Sequence, residues 1–136
     1  LNWFLWDQKS PFTDFVRNMI CFRKEHPILQ EDSFYQGEQI IWHGINIEDP
    51  NWEEKSPIIA FVIMSPDENH LYVAFNATPN PIHFNLPEIK TNKKWYQIVS
   101  TDAPPPDDFL TEGKEKLIEA PIYILKPYSS AILKLN

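Results

Sequence analysis

Apolar residues recur in a helical rhythm near the start of the chain. Phe12, Phe15, Val16, Met19, Ile20 and Phe22 follow one another at intervals of three and four, which wraps one broad apolar face around a helix. Ser10 suits the N-cap and Pro11 the first helical position. Asp14 puts negative charge in the first turn, where the helix dipole favours it. Arg23, Lys24 and His26 close the last turn, and Pro27 stops the helix. One amphipathic helix has nothing of its own to pack on, so it must lie on another body.

From about residue 34 the period changes to two. The alternation predicts strands over 34–43, 57–64, 70–77, 81–86, 94–101, 120–125 and 129–135. Turn-forming residues separate them, as in Asp49-Pro50-Asn51, Ser65-Pro66-Asp67, Pro79-Asn80-Pro81 and Lys126-Pro127. Ile58 to Met64 is apolar on both faces, which predicts a central strand. Leu71, Val73 and Phe75 alternate with Tyr72, Ala74 and Asn76. The Pro-rich stretch from Ala103 to Asp108 reads as a loop, with a short turn expected at Phe109 to Gly113. Seven short strands at this spacing read as a mainly β fold, an antiparallel Greek-key sandwich preceded by one α-helix.

Composition narrows the functional classes. The 136 residues suffice for one domain with a core, and 43% of them are apolar. The net charge of −7 repels phosphate backbones, so nucleic acid is not an expected partner. No apolar run approaches the roughly 18 to 20 residues of a membrane span, so no membrane partner is expected either. The single Cys21 excludes an internal disulfide and fits a reducing compartment. The aromatic start Leu1-Asn2-Trp3-Phe4-Leu5-Trp6, with no leader, reads as a cut through a larger protein.

Candidate chemistry is sparse. His26, His43, His70 and His83 stand at no metal-ligand spacing, so no metal or cofactor is expected. Cys21 lies in the helix and is expected to be a buried structural thiol. There is no G-x-S-x-G elbow and no Gly-rich phosphate loop. The pairs Glu31-Asp32, Glu53-Glu54, Asp67-Glu68 and Asp107-Asp108 lack the defined gap that glycoside hydrolysis demands, and read as solvated surface. Aromatics are the remaining asset, at 14% with five Trp. Flat rings can stack on pyranose faces, although core packing is the commoner role of a Trp. Trp52, within the polar segment Glu48 to Lys55, is the best exposed candidate.

The order of segments resembles the C-terminal region of isoamylase-type debranching enzymes of the α-amylase superfamily. The resemblance runs through Leu1-Asn2-Trp3-Phe4-Leu5-Trp6-Asp7, the helix from Phe15 to Leu29 with its His26-Pro27 exit, and Trp42-His43-Gly44. It continues through Pro50-Asn51-Trp52, Leu71-Tyr72-Val73-Ala74-Phe75-Asn76-Ala77, Lys94-Trp95, Pro105 to Phe109 and Pro127-Tyr128-Ser129-Ser130. Single motifs are weakly specific, but their order and spacing together are highly specific.

This resemblance implies a parent enzyme that hydrolyses α-1,6 branch points of glycogen or amylopectin with retention. Its nucleophilic Asp, acid/base Glu and further Asp belong to a (β/α)₈ barrel upstream of Leu1, so no catalytic residue is expected here. Residues 1–30 are expected to carry the last barrel helix, and residues 31–136 the C-terminal sandwich. The implied role is structural, with the catalytic barrel as partner and the cytoplasm or plastid stroma as compartment. Two alternatives stand beside it: an α-glucan-binding module with Trp52 or Trp42 as its surface platform, and a subunit-interaction domain that assembles into oligomers. The residues expected to contact substrate are Trp3, Trp6 and Trp52.

Overall fold

The computed structural model describes residues 10–52, 55–88 and 92–136. Helix α1 spans Pro11–Glu25, and two short 3₁₀ turns follow at Pro27–Gln30 and Gly37–Gln39. The strands are β1 (Ile40–His43), β2 (Ile58–Ile63), β3 (Leu71–Asn76), β4 (Ile82–Asn85), β5 (Trp95–Ser100), β6 (Lys116–Leu117), β7 (Ile122–Leu125) and β8 (Ser129–Leu135). Six strands pair in the order β1-β2-β3-β8-β5-β6, and β4 pairs with β7 in a second, two-stranded sheet. All these pairings are antiparallel. The fold is the expected mainly β sandwich with one helix before it.

The helix begins where its capping chemistry predicts. The Ser10 hydroxyl accepts the Thr13 N–H at 3.1 Å, and Asp14 pairs with Arg17 at 2.6 Å. At the other end His26 Nδ1 lies 2.7 Å from the Phe22 carbonyl oxygen. The His26 ring also packs on Phe22, with centroids 4.1 Å apart.

Two apolar cores lie on the two faces of the large sheet. Ala60, Ala74 and Ala131 stand in register across β2, β3 and β8. These small side chains leave room on the inner face for Tyr72, Phe84, Trp95 and Tyr123, which form one cluster with Val62, Leu125 and Leu133. On the opposite face Phe22 and Ile28 join Ile63, Leu71, Ile98 and Val99, with Phe15 and Met19 packed alongside. The helix therefore lies on the outer face of the large sheet and covers one end of it. A register shift between Gln97 and Val99 interrupts the β5–β8 ladder. It brings Ile98 and Val99 into the same helix-side cluster.

Three features depart from the sequence reading. The stretch 34–39 is not strand, because Gly37 adopts φ +52° and a 3₁₀ turn leads into β1. The short β6 was not expected, since two residues carry no measurable alternation; it pairs through Tyr96 and Gln97 of β5. Cys21 is exposed rather than buried. At 100° per residue it falls opposite the apolar arc of Phe12, Phe15, Val16, Met19, Ile20 and Phe22, on the side that carries Asp14, Arg17 and Lys24.

Candidate functional site

The loop from Gly44 to Pro57 determines where the best sugar-contact candidate stands. Gly44 starts it, and a Cβ there would collide with the Asp49 carbonyl oxygen, so the close return of the chain requires glycine. The Gly44 N–H bonds the Asn46 carbonyl at 3.1 Å, and the Asn85 side chain donates to Asn46 Oδ1 at 3.0 Å. Glu48 takes φ +53°, and its N–H donates to His43 Nδ1 at 2.8 Å. These bonds fold the loop back along β1 and deliver Trp52 to the edge of the sheet.

Trp52 is 64% exposed. Its ring meets Trp42 edge-to-face, with centroids 5.2 Å apart at 71°. Trp42 meets Phe61 at 5.1 Å, and Phe61 meets Phe75 at 6.4 Å. The four rings thus form one aromatic strip across β1, β2 and β3. Phe75 is 42% exposed, whereas Phe61 and Trp42 are half-buried. Ile59 and Val73 share this outer face by the alternation of their strands. Sequence reasoning singled out Trp52 but passed over Phe61 and Phe75 as strand core. The signal was present: Ile58 to Met64 is apolar on both faces, and only one face is needed for the inner core.

The other candidates do not join this strip. Trp3, Trp6, Glu53 and Glu54 lie outside the described residues. Trp95 is buried, and its indole donates to the Pro87 carbonyl at 3.2 Å. Glu31, Asp32, Glu68 and Asp107 are exposed. Asp67 accepts the Asn69 N–H at 3.1 Å. Hydrogen bonds from Ser65 and from Asn69 hold its carboxyl down at about 2. Burial pushes Asp102 up, but the Ser100 hydroxyl and the Lys126 ammonium at 2.9 Å outweigh it and hold the carboxyl below its usual range. Among the described residues, no three His, Cys, Asp or Glu side chains come together in a way that could hold a metal ion.

Two histidines serve the loops as neutral acceptors. His43 Nδ1 accepts from Glu48 and His70 Nδ1 accepts the Ser65 N–H at 3.0 Å. Burial lowers both imidazoles, and the Lys93 charge adds to the effect at His70. A lowered folded value means that the unfolded chain binds the extra protons. Stability is therefore present above the ordinary value of 6.5 and is lost as the pH falls through it toward the lowered folded values. Urea midpoints are expected to be lower at pH 5.5 than at pH 7.5; equal midpoints would contradict this role.

The family profile described as "Isoamylase 1-3, C-terminal" matches residues 41–133. The chain is 34% identical to isoamylase SU1 of Zea mays, a chloroplastic protein, over 100% of its own length and 19% of that protein's. It is 33% identical to an isoamylase of Pseudomonas amyloderamosa, over 74% of its length and 14% of that protein's. It therefore spans less than a fifth of these relatives, and the matching region is one part of a larger protein in them. Among solved structures, the trehalulose synthase MutB from Pseudomonas mesoacidophila shares the fold at a TM-score of 0.51 and 22% identity. That match covers 90% of this chain and 17% of the synthase. A MutB mutant in complex with glucose gives a TM-score of 0.54.

Proposed function

The chain belongs to the isoamylase family, whose C-terminal region it matches, and from that premise we propose that it is the structural cap of a debranching glycoside hydrolase. The substrate of the whole enzyme is branched α-glucan, hydrolysed at its α-1,6 linkages. The catalytic carboxylates belong to a barrel elsewhere in the longer polypeptide. Residues 1–30 contribute the last helix of that barrel, and residues 31–136 form the cap. The compartment is a reducing one that stores glucan, the plastid stroma or the cytoplasm.

One observation carries the structural role: the apolar arc of α1 is wider than the part of it that the sheet covers. Phe15, Met19 and Phe22 pack with the sheet. On the adjoining flank of the same arc Phe12 is 74%, Val16 39% and Ile20 52% exposed. A helix whose apolar arc runs past its contact with one body belongs between two, and the sandwich supplies only one of them. A barrel that buries the flank gives α1 the environment its sequence calls for.

The chain purified by itself is expected to release no reducing ends from amylopectin, whereas the full-length polypeptide releases them. Turnover by the chain alone that survives further purification would overturn the assignment of catalysis to the barrel.

A further inference from the structure

We propose that the aromatic strip of Trp52, Trp42, Phe61 and Phe75 is a docking seam for the catalytic barrel of the same polypeptide, and not a sugar platform. The inference rests on the reading that this chain caps such a barrel. It adds where, beyond α1, the two bodies meet.

Three observations choose the occupant. First, the strip continues a face that is already an interface. Phe61 and Ile132 pack against the cluster formed by α1 and the sheet, and Phe61 also touches Trp42 and Phe75. Apolar contact therefore runs without a break from the sheet-facing side of α1 through Phe61 to the exposed ring of Phe75. Second, the strip is poor in hydrogen-bonding groups. Trp42, Trp52, Ile59, Phe61, Val73 and Phe75 offer no polar side-chain atom except the two indole N–H groups. A glucan presents hydroxyls all around each ring, and desolvating them without partners is unfavourable. The 71° angle between the Trp42 and Trp52 rings also gives no shared flat surface for consecutive sugars. Third, the relatives are long enough to supply the occupant: the region matched here is 19% of the maize protein and 14% of the bacterial one. Aromatic side chains in a continuous apolar row are what the central part of a protein–protein interface uses.

The test is hydroxyl-radical footprinting of the full-length polypeptide, with and without glycogen. Exposures of 64% at Trp52 and 42% at Phe75 set the reactivity of an uncovered strip. A seam lowers the reactivity of both, in proportion to the surface lost, whether or not glycogen is present. Phe12 and Ile20 on α1 report the cap reading separately. If they are protected while Trp52 and Phe75 react as uncovered residues, the seam is wrong and the cap stands. If all four react as uncovered, the cap reading itself fails and the seam goes with it. Protection of Trp52 and Phe75 that appears only with glycogen makes the strip a glucan-binding surface and overturns the proposal.

Discussion

Replacing Phe84 by alanine is expected to lower the stability of the domain by about 3 to 5 kcal/mol. Phe84 is fully buried in β4, opposite Tyr123 of β7. It shares its cluster with Tyr72, Trp95, Leu125 and Leu133, so its ring lies between the small sheet and the large one. Removing it loses the transfer free energy of the ring and leaves a cavity that the alanine row of Ala60, Ala74 and Ala131 cannot fill. A domain of this size has a total stability of roughly 5 to 15 kcal/mol, so the variant is left near the edge of folding. Phe34→Ala is the matched control. The same atoms are removed, but Phe34 is 94% exposed, and the change is expected to stay within about 0.5 kcal/mol. Urea midpoints of the two variants decide the matter. A Phe84→Ala loss below about 1 kcal/mol would mean that β4 and β7 do not carry the core.

Asn76→Asp is expected to be nearly as costly at neutral pH, about 3 to 5 kcal/mol, for an electrostatic reason. Asn76 is buried at the end of β3. Its amide nitrogen donates toward the carbonyls of Asn80, Leu125 and Lys126 at 2.8, 3.2 and 2.9 Å, and its oxygen accepts the Thr78 N–H at 2.9 Å. One side chain thus ties the turn after β3 to the connection between β7 and β8. A carboxylate in its place keeps the acceptor but points negative charge at three carbonyl oxygens. The aspartate introduced there has a folded pKa raised above its unfolded value near 3.9, so the folded state keeps the proton longer. The variant is then most stable below that value and loses stability as the pH rises through the raised one. Denaturation of Asn76→Asp and wild type at pH 4 and pH 7 measures this directly. Equal stability of the two proteins at pH 7 would show that the amide donors are dispensable, and a deficit that does not grow with pH would show that no charge is buried there.

The site was only partly legible in the sequence. Trp52 stood out because it interrupts a polar segment, and the loop does expose it. Trp42, the ring it meets, was the other platform candidate, but Phe61 and Phe75 did not stand out. Phe61 and Phe75 sit in strands where either face accepts a large apolar residue, and nothing local says which face the helix will leave uncovered. That depends on α1 reaching Ile63, Leu71, Ile98 and Val99 but not Phe75, a matter of helix length and crossing position. Cys21 was legible without the tertiary structure: the same helical periodicity sets it opposite the apolar arc, beside Asp14, Arg17 and Lys24, and the structure exposes it there.

Local chemistry encoded in the sequence determined the helix and its ends, six of the seven expected strands close to their observed limits, and the sandwich class. Ser10, Pro11 and Pro27 act within a few residues of themselves, and the period of two is a property of each strand alone. The order of fragments along the chain also carried the family, which the match over residues 41–133 then showed. Only the tertiary structure decided what long-range pairing controls. It shortened the first strand to Ile40–His43, added β6, and split the strands into sheets of six and two. It turned Asn76 from one polar residue in a strand into a tie across 49 and 50 positions of sequence. It joined four rings from β1, β2, β3 and a loop into one strip. Those outcomes depend on register and on which face meets which, and no residue or its sequence neighbours can encode them locally.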